Sequence, residues 1–215
     1  MKTTCVLFLG SVCMWAQHAP TTPSPDPDAA WKDLQAGNAR YVAGKLGHPR
    51  QTTERRAEVA AGQHPFAVIL SCADSRVPPE MVFDQGLGDL FTARVAGNVA
   101  TDDVVASLEY AVVHLGPKLI VVLGHERCGA VDAALKGGPP EGHLAVLLDR
   151  IQPAVKSSKG QTGDALDNAV KANALLVADQ LRKSAPILSE KIKNGSIKIV
   201  AARYDLDTGK VEQLY

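Results

Sequence analysis

Three short runs in this chain are apolar almost throughout, with Lys198 the one exception: Phe66 to Leu70, Leu119 to Leu123 and Ile197 to Ala201. A strand with one wet face alternates apolar and polar residues, whereas a strand covered on both faces does not. The runs therefore read as interior strands of a mostly parallel sheet. Helical patterns fill the intervals. Thr101 caps a helix over Asp102 to Leu115 that puts Val105, Leu108, Val112 and Leu115 on one face, and Asp164 opens a longer helix through Ala174, Val177 and Leu181. Two more helices fit Asp28 to Ala43, which stops at Gly44, and Thr53 to Ala61. Asp207-Thr208-Gly209 is a turn sequence that folds a last strand, Val211 to Leu214, back antiparallel. The expected fold is α/β: a mostly parallel central sheet of about four parallel strands plus one antiparallel edge strand, flanked by helices, with an N-terminal helical arm.

The first 19 residues, a lysine followed by the apolar run Val6 to Leu9 and then Trp15-Ala16, read as a secretory signal peptide; residues 20–27 are a proline-rich spacer, and residues 28–215 are the folded domain. Export implies a periplasmic or secreted protein. No segment approaches the roughly 18 apolar residues that a membrane span needs. Lys+Arg and Asp+Glu both number 23 in the 215 residues, and a net charge of zero argues against a nucleic-acid binder. With Cys5 and Cys13 in the leader, the domain keeps Cys72 and Cys128. In an oxidising compartment these two either pair with each other or are held together by a metal.

In an open parallel sheet, ligands bind beyond the carboxyl ends of the strands. The first apolar run is followed by Cys72-Ala73-Asp74-Ser75-Arg76, and the second by His125-Glu126-Arg127-Cys128-Gly129. Two cysteines and a histidine at neighbouring strand ends supply three ligands of the kind zinc prefers, and a three-ligand set leaves the fourth position open, as catalytic sites do. Asp74 is the one candidate to close it. Arg76 can clamp that carboxylate bidentately and hold it off the metal, leaving it to accept a proton beside the site. Two thiolates and a neutral imidazole cancel the charge of a divalent ion, so activity is expected to rise above pH 7. The helix that begins at Gly129 is expected to help Cys128 toward thiolate. Gly124 to Gly129 has the glycine spacing of a phosphate loop, but Ala130-Val131 stand where Lys and Ser/Thr are required.

These residues resemble the β-class carbonic anhydrases, and the resemblance covers nearly all of the chain after the spacer. Cys72 to Pro78 is similar to the family's first signature and Gly124 to Val131 to its second; Gly88 to Phe91 through Arg94 to Gly97-Asn98 resembles the segment between, and Tyr204-Asp205-Leu206 with Gly209 the closing strands. The resemblance implies one zinc ion per chain on Cys72, His125 and Cys128, with Asp74 and Arg76 as a catalytic dyad. It implies reversible hydration of CO2 to bicarbonate and a proton, with hydroxide on the zinc as the attacking group. From the plant-like subset it implies that Gln63 bonds substrate oxygen, that Phe91 and Tyr110 form an apolar wall for CO2, and that Gly129 offers its backbone N–H. It also implies a homodimer or higher oligomer, in which the N-terminal helix lies across the partner and each cleft is finished by the neighbouring subunit. Two positions depart from the pattern. Ala96 stands where valine is common, leaving a roomier cleft, and Ile69 stands where bicarbonate-regulated members carry tryptophan, so Asp74 is expected to stay on Arg76. The alternatives are a hydrolase of carbonyl sulfide or carbon disulfide on the same fold, or a non-catalytic zinc- or bicarbonate-binding protein with Asp74 as fourth ligand.

Overall fold

Asp26 starts the first helix by accepting hydrogen bonds from the N–H groups of Asp28 and Ala29 at 3.1 and 2.9 Å, and Pro27 fits the first helical position, where no N–H is needed. The computed structural model describes residues 24–214, so the leader read over residues 1–19 and the first half of the spacer lie outside the described residues. In chain order the elements are α1 (Pro27–Val42), α2 (Thr53–Val59), β1 (Ala67–Ser71), α3 (Pro79–Val82), β2 (Leu90–Arg94), α4 (Asp102–Tyr110), β3 (Leu119–His125), α5 (Gly129–Lys136), α6 (Leu144–Ser158), α7 (Ala165–Lys183), α8 (Ile187–Lys193), β4 (Lys198–Tyr204) and β5 (Val211–Leu214).

The strands form one sheet in the order β2-β1-β3-β4-β5. The first four are parallel and β5 returns antiparallel on β4, with Ala201 opposite Leu214. This is the fold class expected from the sequence. All residues of β1 and β3 are buried, as continuous apolar runs require. Alternation then sorts them: Val68, Leu70, Ile120 and Val122 face a core that includes Leu108 of α4, Val177 and Leu181 of α7, and Leu188 of α8. Ile69, Leu119 and Val121 face the other way, onto Trp31 and Leu34 of α1.

Two features differ from the sequence expectation. The helix read over Asp102 to Leu115 is α-helical only to Tyr110 and closes with a π-type turn, in which the Gly116 N–H donates to the Ala111 carbonyl at 3.1 Å. The structure adds the edge strand β2, whose partial burial explains its mixed composition, and the helix α6, whose buried Ile151, Ala154, Val155 and Ser158 do recur at helical spacing. Helix α1 packs on the sheet of its own chain. Ala30, Trp31 and Leu34 are buried against their own sheet, and Asn38 donates to the carbonyls of Val82 and Gly209 at 3.0 and 2.8 Å while accepting from the Val211 N–H at 2.9 Å. The apolar stripe of α1 is thus satisfied within the chain.

The turn into β5 is held by Asp205. Its Oδ1 accepts from the Thr208 N–H and hydroxyl at 2.8 and 2.9 Å, and these bonds with the Thr208 backbone foremost lower its pKa from the ordinary 3.8 to about 2. A carboxylate whose pKa falls on folding stabilises the fold above its unfolded value, and that contribution is lost as pH drops through the folded one. Replacing Asp205 with asparagine is therefore expected to flatten the fall in melting temperature between about pH 4 and 2. An unchanged acid limb in differential scanning calorimetry would show that the turn carries no such linkage.

Candidate metal centre

The chain leaves β1 to pair β2 on one side and then crosses to place β3 on the other, so the sheet has its switch point between β1 and β3. A crevice opens at the carboxyl ends there. Ser71 ends β1 opposite Leu123 of β3, which puts Cys72 just past one lip and His125 at the end of the other. Cys128 follows as the N-cap of α5. The Sγ atoms of Cys72 and Cys128 are 4.0 Å apart, and with a ring nitrogen of His125 they form a buried set whose ligand atoms all lie within 4.8 Å of one another. Both cysteines are free, and their separation is far from the ~2.05 Å of a disulfide.

Each ligand is oriented by backbone. His125 bonds the Glu126 carbonyl through Nδ1 at 2.9 Å; a carbonyl only accepts, so Nδ1 carries the hydrogen and Nε2 keeps its lone pair. That Nε2 is buried with no hydrogen-bond partner. An unpartnered buried nitrogen beside two sulfurs costs free energy unless something accepts its lone pair. The Cys72 sulfur accepts the Gly97 N–H at 3.3 Å. The Cys72 thiol is pulled far below the usual thiol range, foremost by the Cys128 thiol, and Cys128 is pushed up by that same bond and by burial. The N–H groups of Val131 and Ala130 do act on Cys128 in the expected direction, but they are outweighed while the two sulfurs share a proton. A cation between them removes that competition and favours both thiolates.

Beside the ligand set lies Asp74. Its Oδ1 accepts from the backbone N–H and Nε of Arg76, both at 2.9 Å, and its Oδ2 accepts from Arg76 Nη2 at 2.8 Å. The guanidinium holds the Asp74 carboxyl well below the usual carboxylate range. Asp74 Oδ2 is 3.7 Å from His125 Nε2. Gly129 begins α5 directly after Cys128, where its N–H has no preceding turn to donate to, and the space a Cβ would take is open.

The sequence reading therefore converges for Cys72, His125, Cys128, Asp74, Arg76 and Gly129. It does not for Gln63, Phe91 and Tyr110. Gln63 is exposed and precedes β1, whereas Cys72 follows it, and a five-residue strand separates its ends by roughly 16 Å. Phe91 is paired with Val68 on the edge strand β2, and its ring lies 6.4 Å from that of Tyr110. The sequence reading missed Arg94. Its Nε donates to the Cys72 carbonyl at 3.0 Å and its Nη2 to the Asp74 carbonyl at 2.6 Å, so it braces the loop that carries the first ligand. No local pattern announces it, because the contact depends on β2 lying parallel to β1.

The family model for carbonic anhydrase matches residues 67–211, from the first residue of β1 to the first of β5, and spans every residue of this centre. The chain belongs to the β-carbonic anhydrase family. Among relatives of this β-carbonic anhydrase, carbonic anhydrase 2 of Mycobacterium tuberculosis is 44% identical over 192 residues, covering 87% of this chain and 93% of the relative. The carbonic anhydrase of Mycolicibacterium smegmatis is 41% identical over 194 residues, covering 88% and 94%. Among solved structures, a tetrameric β-carbonic anhydrase of Sordaria macrospora superposes with a TM-score of 0.69 at 25% identity, over 87% of this chain and 97% of that one. The Coccomyxa β-carbonic anhydrase bound to acetazolamide gives a TM-score of 0.69 at 28% identity, over 87% and 82%. Carbonic anhydrases are zinc lyases, and this β-carbonic anhydrase is an enzyme of that class. No described helix is long and apolar enough to cross a membrane.

Proposed function

We propose that this protein catalyses the reversible hydration of CO2 to bicarbonate and a proton, with one zinc ion held by Cys72, His125 and Cys128. One observation carries the reading: two sulfurs and an unpartnered imidazole nitrogen converge at the switch point of the sheet, beside a carboxylate that Arg76 has already claimed. The donor set fits zinc, for two thiolates at a Zn–S distance of ~2.3 Å in a tetrahedron stand about 3.8 Å apart, close to the 4.0 Å found. When bound, zinc supplies a Lewis acid that makes a nucleophile available from water near neutral pH.

The chain's own residues do the rest. Arg76 engages both oxygens of Asp74, which keeps the carboxylate ionised and off the fourth ligand position. So fixed, Asp74 is a hydrogen-bond acceptor rather than a proton carrier; it holds the attacking group's hydrogen in place and turns a lone pair toward CO2. The Gly129 N–H is a donor for the negative charge that develops on substrate oxygen. Stopped-flow CO2 hydration from about pH 6 to 9, with zinc measured on the same sample, tests the reading. Activity should rise above pH 7, because two thiolates offset the charge of a divalent ion. One zinc per chain without hydration at any of these pH values would overturn it.

Gln63, Phe91 and Tyr110 enter through a second copy. Within one chain Phe91 lies on the edge strand β2 with Tyr110 against it, Gln63 is exposed ahead of β1, and exposed apolar side chains stand on the segments before and after β2: Tyr110 is 42% exposed, Leu87 43% and Met81 55%. A homodimer that covers this edge would present the three residues to the neighbour's centre, with Gln63 as donor to substrate and the two rings as apolar wall. Complementation checks this. Gln63→Ala and Cys72→Ser proteins, each impaired alone, should regain activity when unfolded and refolded together, since a mixed dimer carries one complete site. Mixtures no more active than their components would sink the shared cleft. The leader supports a periplasmic or secreted enzyme, to be checked by cell fractionation.

A further inference from the structure

Asn173 sits midway along α7, on a buried face otherwise made of Ala169, Val170, Ala174, Val177, Ala178 and Leu181. An amide in such surroundings is costly unless both of its ends are bonded. Only one is: Nδ2 donates to the Gly97 carbonyl at 2.8 Å, while Oδ1 is buried without a partner. Gly97 is the residue whose N–H donates to the Cys72 sulfur. It has a left-handed φ of +72°, which favours glycine, and a Cβ there would come within 2.6 Å of Ile151 Cδ1. Glycine is also the residue that best tolerates rotation away from such a conformation. One hydrogen bond on each side of the Gly97 Cα opposes that rotation, and Asn173 makes one of them.

We propose that Asn173 is a positioning residue of the metal site: by holding Gly97 through its carbonyl, it keeps the Gly97 N–H aimed at the Cys72 sulfur and so sets how that sulfur binds the ion. The inference rests on the reading that Cys72 is a metal ligand. A backbone N–H on a metal-bound thiolate draws charge from the sulfur and fixes its direction, the outer-shell effect by which residues that never touch a metal alter its affinity. A purely structural amide has a comparison in the same helix. Gln180 donates to the Ala100 carbonyl at 3.1 Å, three residues past Gly97 in the same loop, but Ala100 bonds no ligand.

The test uses the full chain, loaded with zinc or with cobalt, as Asn173→Leu, Asn173→Ala and Gln180→Leu. Leucine keeps the branched shape in a somewhat larger side chain and removes the unpartnered oxygen, at the cost of leaving the Gly97 carbonyl without its donor; alanine carries the same readout should leucine fail to pack. Both Asn173 variants are expected to bind zinc about ten- to a hundredfold more weakly in chelator competition. Their sulfur-to-cobalt charge-transfer band should move to longer wavelength, because a thiolate that loses a hydrogen bond gives up its electron more easily. Gln180→Leu should change neither. Unaltered zinc affinity and band position in the Asn173 variants, or equal changes in Gln180→Leu, would overturn the positioning role. The absence of any thiolate band in the unaltered cobalt protein would instead overturn the metal reading itself, a failure told apart by the parent protein alone.

Discussion

Cys72→Ser protein is expected to hold no zinc, to hydrate CO2 no faster than buffer and yet to remain folded. A serine hydroxyl does not ionise near neutral pH and is a poor partner for a soft-to-borderline ion, so the set falls to His125 and Cys128, too few to hold zinc against a chelator. The hydroxyl can still accept the Gly97 N–H, so the loop has reason to keep its path. The two cores on the faces of the sheet contain none of the ligands, while Cys72 and Cys128 belong to a smaller third cluster with Val131, Ile151 and Val170. Metal loss should therefore subtract binding energy without dismantling the sheet. With free zinc about a thousandfold above Kd that energy is about 4 kcal/mol, which for a chain of this size lowers the melting temperature by about 10 °C. Zinc analysis, stopped flow and calorimetry on one preparation check all three parts. Full zinc occupancy in the serine variant would remove Cys72 from the ligand set.

Asp74→Asn should separate binding from turnover. None of the three ligand atoms belongs to Asp74, so zinc content is expected to stay at the level of the unaltered protein. The amide is uncharged, so it loses the charged bidentate pair with Arg76 and can no longer be held as an acceptor on both oxygens. A misdirected acceptor at the reacting centre costs about a hundredfold or more in kcat/KM. Because Arg76 keeps Asp74 ionised far below neutrality, its loss should lower the whole pH profile rather than displace the rise above pH 7. Full activity in the asparagine variant would end the dyad role.

How much of this was legible in the sequence follows from what each signal depends on. Strands β1, β3 and, past Lys198, β4 are covered on both faces, so burial is written into the run, and the candidate ligands follow from reading what comes at the ends of the first two. The edge strand β2 is half-wet and its Leu-Phe-Thr-Ala-Arg carries no period; α6 contains Pro153, a residue that argues against a helix interior even though Ile151, Ala154, Val155 and Ser158 keep helical spacing across it. Asp74 and Arg76 share one loop, so their pairing could be anticipated from a two-residue spacing. Arg94, Asn173 and the backbone bonds on the ligands depend on the packing of segments far apart in the chain, which no local pattern encodes. The apolar stripe of α1 is a case in point, for it announces that it will be covered and not which sheet will cover it.

The spacing of the ligands bears on the order of events during folding. Cys72 and Cys128 are 56 residues apart, and neither lip of the crevice alone supplies more than two donors. Closing so long a loop is entropically costly, and the cost is met by the pairing of β1 with β3 rather than by the ion. On the zinc reading, the full three-donor site is therefore expected to form only once that parallel pair has formed. The moment of zinc uptake becomes a clock for sheet closure, and the refolding rate should be indifferent to free zinc even though the finished protein is not.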